Sequence, residues 1–313
     1  MFEITIDSGE VNAWSEVRLP FEPKGEMLKF RQRLAAAIKA MPPEGGGQLA
    51  ATYTAADTHA LIDTENVLFY NVGLGCFAAH TQRSLAFERV FATAPDPPGP
   101  DRWTPHHHHH RYRVTPLADF EHWRPGRVTA QWDVPVSPQT LAHREMVWAA
   151  ALAHVDTPTQ MDGLLDYYAI RIRLNGVQVT LANIVKPLID GLVSSLHSFA
   201  GKIPDLAVER LSRATAMDPS DVRHRLTDQH QSVLGPRENL IWLTKNGIAF
   251  NPRDEDCVAC LIEVAEGGQP RMTGTVLRVE PRELDGCSPR PPIGRMGVGH
   301  VSRPRTWLWR QRR

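Results

Sequence analysis

Thr180-Leu-Ala-Asn183-Ile-Val-Lys186-Pro-Leu-Ile-Asp190-Gly191 follows closely on an alternating run, Tyr167 to Leu174. The alternation reads as a strand, and the stretch after it as a sharp entry into a helix. At the helical period Ile184, Leu188, Leu192 and Leu196 fall on one face, at spacings that suit a core. Asn183, Lys186 and Asp190, at i, i+3 and i+7, share another. Any surface helix shows a polar face, so spacing alone leaves two readings open: a solvated face, or groups gathered for chemistry.

The surrounding chain has a globular composition. Its 313 residues allow one large domain or two modest ones, and 42% hydrophobic residues argue for a substantial core and against global disorder. No apolar run reaches the roughly 18 residues of a membrane span. Met1-Phe-Glu-Ile-Thr-Ile-Asp7 carries acids where a signal peptide needs bases. A cytoplasmic location without a membrane partner is therefore expected. Four cysteines are too few for a disulfide framework in so long a chain. Cys257-Val-Ala-Cys260 opens a run to Val264 that reads as a buried strand, where residues i and i+3 point to opposite faces. Core cysteines, not a metal or redox pair, are the expectation.

Net charge is zero but unevenly spread. From Gly286 onward there are seven arginines and no acid, ending Trp307-Leu-Trp309-Arg-Gln-Arg-Arg313. Arginine with aromatics pairs phosphates and stacks bases. Arg303, Arg305, Trp307, Trp309, Arg310, Arg312 and Arg313 are thus candidate nucleic-acid contacts. The alternative is a tail that folds back on the body, anchored by its tryptophans.

Two passes through one plan are visible. The first has a strand at Phe2–Ile6, a helix near Glu26–Ala40, a strand near Gln48–Ala55, and then Asp63-Thr-Glu65-Asn66. The second has a strand near Val128–Val136, a helix near Leu141–His154 started by Ser137-Pro138, the strand Tyr167–Leu174, and then Thr180-Leu-Ala-Asn183. Aligning Asn66 with Asn183 sets Asp63 opposite Thr180, Glu65 opposite Ala182 and Phe69 opposite Lys186. The element order repeats, while the identities do not prove a duplication. In the second pass Lys245-Asn-Gly-Ile248 carries a hairpin signature between Leu240–Leu243 and Ile248–Phe250. Asp254-Glu255-Asp256 precedes the strand Cys257–Val264, where carboxylates at a sheet mouth can hold a divalent ion or simply form an acidic turn.

Other features carry less. The run His106 to His110 is internal, and on a strand its alternate rings would diverge; adventitious metal binding is the expectation there. Val67 to Ala78 mimics strand, G-x-G-x-x-A and helix, but no acid-ended second strand follows at the distance a dinucleotide site requires. Ser194, Ser195 and His197 are adjacent without an elbow motif and read as helix-surface residues.

The order strand, Asn-x-x-Lys-x-x-x-Asp helix, hairpin, acidic turn, strand resembles the RusA-type Holliday-junction resolvases, α+β metal-dependent nucleases. Asn183-Ile-Val-Lys186-Pro-Leu-Ile-Asp190 matches the helical part of their motif closely, and Asp254-Glu-Asp256-Cys-Val the later acidic part loosely. The likeness covers about residues 128–265, and 1–115 weakly through the repeat. It implies a Mg²⁺ cofactor and a DNA substrate. Two aspartates precede the Asn in that family and ligate magnesium; here Thr180 and Ala182 stand in their places. The first pass is the inverse, with Asp63 and Glu65 present and Phe69 where the lysine would be.

The expected fold is therefore α+β, with two related α/β halves, each a small mixed sheet with packed helices, the second half RusA-like. The expected divisions are 1–115, 116–285 and a basic Pro/Gly/Arg tail 286–313. A composite centre would use Asp63, Glu65, Lys186 and Asp190 for catalysis and Asp63, Glu65, Asp254 and Asp256 for the metal. Asn183 and the tail would contact nucleic acid, and the pairing would be a pseudo-dimer within the chain or a homodimer. The function implied is a Mg²⁺-dependent, structure-selective DNA endonuclease. The alternative is a catalytically inactive nucleic-acid-binding or protein-interaction relative.

Overall fold

The computed structural model describes residues 1–42, 47–56, 62–99, 103, 107–115, 119–152, 155–156, 167–228 and 232–282. The tail lies outside them, and with it Arg303, Arg305, Trp307, Trp309, Arg310, Arg312 and Arg313. Residues Met1–Arg282 form one compact unit. Its class is mixed α and β. No helix among the described residues is long and apolar enough to cross a membrane.

The first half begins with a hairpin of β1 (Phe2–Asp7) and β2 (Glu10–Ser15), then α1 (Gly25–Lys39). Phe30, Leu34, Ala37 and Ile38 are buried at helical spacing, so α1 lays one stripe on the sheet. Next come β3 (Gln48–Thr54), β4 (Ser84–Val90) and β5 (His108–Val114). The second half has β6 (Trp123–Pro135), α2 (Pro138–Ala142), α3 (Arg144–Leu152), β7 (Val155–Asp156), β8 (Tyr168–Asn175) and α4 (Leu181–Ser195). An insert follows: β9 (Ser198–Phe199), α5 (Asp205–Thr215), α6 (Pro219–Thr227), β10 (Pro236–Arg237) and the hairpin β11 (Ile241–Leu243) with β12 (Ile248–Phe250). β13 (Cys257–Ala265) and β14 (Arg271–Pro281) close the chain's sheet.

The two small sheets expected from the sequence are instead one ten-stranded sheet, ordered β1-β2-β5-β3-β4-β13-β8-β14-β6-β7. The seam between halves is the antiparallel pair β4–β13, with Ala259 opposite Glu88 and Glu263 opposite Ser84. Outward from the seam, each half shows one parallel pair and then antiparallel pairs. β4–β3 and β13–β8 are parallel; β3–β5–β2–β1 and β8–β14–β6–β7 are antiparallel. The four strands nearest the seam also match in chain order. The fifth differs, because β1 precedes β2 whereas β7 follows β6.

One apolar core lies under this sheet and runs through both halves. It takes in Leu34 and Ile38 of α1, Phe69 of the link after β3, Phe87, Ile170 and Ile172 of the sheet, and Leu188 and Leu192 of α4. The opposite face carries a smaller cluster with Phe120, Trp123, Ala169 and Leu261. The insert has its own core, Phe199, Val208, Leu211 and Phe250, closed by Trp148 and Leu152 of α3.

Several local expectations need correction. The helix foreseen over Leu141–His154 is broken at His143, whose extended φ −125°, ψ 114° separates α2 from α3. Val67 to Asn71 is no strand: Asn66–Tyr70 is a π-helical turn and Leu74–Cys76 a 3₁₀ turn, which removes the dinucleotide reading. Ser194, Ser195 and His197 are buried, not on a helix surface. Cys257 and Cys260 do not point to opposite faces, since a bulge between Cys257 and Ala259 shifts the phase and both enter the main core. They are free and buried, as is Cys76.

The histidine run forms β5 and its approach. His107 bonds to the carbonyl of Pro95, His108 to the Tyr53 hydroxyl at 2.6 Å, and His109 to Asn12 Oδ1 at 2.8 Å. His109 stacks on Trp14, and Tyr53 meets the edge of His110. These four rings are fold-forming groups. His106 lies outside the described residues.

Candidate metal centre

The centre sits at the seam, where two parallel β-to-β connections run side by side. In the first half the link from β3 to β4 contains Asp63-Thr-Glu65, which leads into the π turn closed by Asn71 N–H to Asn66 O at 2.8 Å. Single π turns recur at functional sites because they rotate side chains out of α-helical phase. Three contacts fix this one. Thr64 Oγ1 donates to Cys257 O of β13 at 3.5 Å, Tyr112 OH to Leu68 O at 2.8 Å, and the Asn66 amide to the Asp63 carboxylate.

In the second half the corresponding link is α4. Its first N–H groups have no partner within the helix. Thr81 of the first half supplies them, through its carbonyl to Leu181 N (2.9 Å) and its hydroxyl to Ala182 N (3.3 Å). The turn Asp254–Asp256 is held from below by Tyr168 OH, which donates to Arg253 O at 2.8 Å. His197 Nδ1 meets Gly235 O and its Nε2 accepts the Arg253 N–H at 3.1 Å. Burial pushes His197 down to about 4, so the ring is neutral at pH 7 and can accept that bond.

These elements bring acids of both halves onto one lysine. Lys186 Nζ lies 2.7 Å from Glu65 Oε1, 2.7 Å from Asp190 Oδ1, 3.0 Å from Asp254 Oδ2 and 3.5 Å from Asp63 Oδ2. An ammonium has three N–H groups, so four carboxylates outnumber its donors. It gives hydrogen bonds to Glu65 and Asp254. Asp190 Oδ1 is in ion-pair contact without one, and Glu65 Oε2 is buried with no hydrogen-bond donor among the described residues. Asp190 Oδ2 takes Arg144 Nη1 at 3.3 Å.

Negative charge exceeds positive here, and protonation equilibria respond. Burial, with Asp63 adding, pushes the Glu65 carboxyl up to about 7 against the pull of Lys186. Burial likewise raises Asp254 well above the ordinary carboxylate range. Burial alone would depress Lys186, but Asp190, Asp254, Glu65 and Asp63 outweigh it and hold the ammonium firmly charged. Tyr70 stands near the same group, raised by burial and by Asp190.

Two oxygen triads result, sharing Asp254. The outer one is Asp63, Asp254 and Glu255; the deep one is Glu65, Asp190 and Asp254. In each, one oxygen per residue lies within 4.8 Å of the others. Ligand oxygens around Mg²⁺ at about 2.1 Å stand roughly 3 to 4.2 Å apart, so either triad needs only a small contraction. An all-oxygen donor set with a buried, donorless Glu65 Oε2 suits a hard divalent cation.

Asp63, Glu65, Lys186, Asp190 and Asp254 therefore meet in one place. Asp256 does not join them: it pairs with Arg253, and Glu255 takes the place assigned to it. The 3₁₀ turn sets these phases, and three consecutive acids gave no means of choosing between them. Glu255 also faces Arg237 at 3.5 Å. Asn183 is exposed, one helical turn before Lys186. Arg144 and Tyr70 escaped the sequence reading because each is remote in sequence from the Asn-x-x-Lys-x-x-x-Asp stretch. No protein-family model and no curated protein matches the chain.

Proposed function

We propose that the chain is a divergent relative of the RusA-type resolvases whose halves descend from one duplicated unit. In this reading it acts as a Mg²⁺-dependent, structure-selective DNA endonuclease with one composite centre. The observation that carries this is the convergence on Lys186 of Asp63 and Glu65 from one half with Asp190 and Asp254 from the other. The acids lost at Thr180 and Ala182 are supplied across the seam. The matching strand order of the two halves supports the duplication, and the pair then acts as a pseudo-dimer within one chain.

Asp63, Asp254 and Glu255 would hold the ion at the more accessible side. Bound there, Mg²⁺ would supply an activated water and charge neutralisation at the leaving oxygen. Lys186 contributes a fixed positive charge beside the reacting phosphate. Glu65, with a proton affinity near neutrality, is suited to holding and releasing a proton at Oε2. Arg144, its side chain 38% exposed, can meet a phosphate while it orients Asp190.

The test is incubation of the full chain with branched, flapped, duplex and single-stranded DNA in Mg²⁺ or Mn²⁺. Cleavage of a branched substrate that disappears in Asp63→Asn and Asp254→Asn is the expected outcome. No cleavage of any substrate overturns the hydrolytic reading. The second reading, a non-hydrolytic nucleic-acid-binding relative, draws on the degree to which Lys186 is already satisfied by carboxylates. It requires salt-sensitive binding without cleavage, weakened by removal of residues 286–313.

A further inference from the structure

The position of the Lys186 ammonium separates the two triads. It touches every member of the deep one, Glu65, Asp190 and Asp254, at 2.7, 2.7 and 3.0 Å. Of the outer one it reaches only Asp254 and, more distantly, Asp63 at 3.5 Å. A cation bound by the deep triad would have to occupy the same volume. It would draw the oxygens in by about 0.6 Å, the difference between an ammonium contact and a magnesium–oxygen bond. The deep site also retains an acceptor that the lysine does not contact, Glu65 Oε2, buried and without a hydrogen-bond donor among the described residues.

We propose that Lys186 is a tethered stand-in for a second divalent cation. The native centre takes one ion, on Asp63, Asp254 and Glu255, and the centre without the lysine takes two. This inference rests on reading the acidic cluster as a cation centre, and it is independent of whether the protein cleaves DNA. It gives Lys186 a role apart from any contact with substrate. A divalent ion carries two charges where the ammonium carries one, and it accepts more oxygens than three N–H groups can serve. The donorless Glu65 Oε2 is therefore a group that the second ion would recruit.

Binding of Mn²⁺ to the full chain, followed by titration calorimetry and by the paramagnetic signal of free Mn²⁺, tests this without reference to activity. Wild type and Lys186→Arg should bind one ion that is lost in Asp63→Asn. Lys186→Ala should bind one more than wild type. That extra ion should vanish in Lys186→Ala/Glu65→Gln, because Glu65 belongs to the deep triad alone. In EDTA the melting temperature of Lys186→Ala should lie below that of wild type, and Mn²⁺ should raise it more than it raises wild type. If wild type binds no ion, the cation-centre reading itself fails. If wild type binds one and Lys186→Ala also binds one, that reading stands and the stand-in role is overturned. The stand-in role is equally overturned if wild type binds two, or if Lys186→Ala stays unfolded at every Mn²⁺ concentration.

Discussion

The links from β3 to β4 and from β8 to β13 occupy corresponding places on the two sides of the seam, and they have been built in opposite senses. The first carries the acids Asp63 and Glu65 just before a short π turn, and Phe69 at the position aligned with Lys186. The second carries Lys186 and Asp190 on a long helix, and Thr180 and Ala182 at the positions aligned with Asp63 and Glu65. Phe69 is fully buried, with its ring edge-on to Phe77 and near Phe87. Ala182 is equally buried, and its N–H is taken by Thr81 from the other half. Each side thus has a packing or capping residue at the position where the other has a charged one. The two sides of the seam are thus unlike, and acids from both meet in a single cluster around Lys186.

The strongest way to break this comparison is to remove Lys186 and Phe69 separately. Lys186→Ala leaves buried carboxylates without their cation, and loss of one partner of a buried ion pair costs about 3–5 kcal/mol. Phe69→Ala is expected to cost a similar 3–5 kcal/mol, through lost transfer energy and a cavity. The causes differ, and gentler substitutions separate them. Lys186→Met should be nearly as unstable as Lys186→Ala, since filling the space does nothing for the carboxylates. Phe69→Leu should recover a large part of its loss. Denaturant unfolding in EDTA at pH 7 measures both. A Lys186→Met variant as stable as wild type would mean that the charge does not hold the cluster together.

How far these features could be read in advance depended on whether they were local. The α1 stripe, the strand at Tyr168–Asn175 and the hairpin at Ile241–Phe250 follow from period and turn residues within a dozen positions. The gathering of Asp63 and Glu65 on Lys186 was conceivable from the alignment of the two passes, but it depends on the β4–β13 pairing. Nothing local in Ser84–Val90 announces that partner. The bulge at Cys257 and the π turn at Asn66 each shift phase by one residue, which defeats any argument from strict alternation. The five histidines look like a metal-binding tract because composition is visible. The work of His108, His109 and His110 as aromatic partners of Trp14 and Tyr53 becomes apparent only once neighbouring strands are in place.

A smaller effect sharpens the difference between the links. The long link needs α4 to approach α3 closely, and Gly191 permits it. A Cβ there would lie 2.6 Å from Arg144 O and 2.7 Å from Val147 Cβ. Backbone does not yield as a flexible side-chain end does, so Gly191→Ala should destabilise by about 1–3 kcal/mol through overpacking. Asp190 and Arg144 adjoin this contact. The variant should therefore also weaken Mn²⁺ binding to the deep triad in a Lys186→Ala background. Equal stability of Gly191→Ala and wild type in denaturant melts would show that the helices can part at little cost.

The smallest expected effect lies in the first half and involves titration without ion pairs. Burial pushes His109 down to about 4 and His110 down to about 3, with the neighbouring Arg111 and His rings contributing. Unfolded histidine titrates near 6.5. Between that value and the folded ones the unfolded chain binds more protons than the folded chain. The contribution of this pair is therefore complete above about pH 6.5 and falls as the pH drops toward 4. The rings facing this pair are Trp14, Tyr53 and Tyr112, with Asn12 and Arg111 on the adjoining positions, and no carboxylate among them is a contact that would favour protonation. His110→Phe keeps a flat ring between Tyr53 and Tyr112, removes an Nε2 that has no partner among the described residues, and gives up the long 3.4 Å contact of Nδ1 with the Tyr112 hydroxyl. Its stability at pH 7.5 should differ from wild type by under about 1 kcal/mol. The decline between pH 6.5 and 4 should become shallower, as read from urea midpoints at half-unit intervals. An unchanged pH profile would assign the acid sensitivity to other groups and leave the histidine strand without an electrostatic part in the asymmetry.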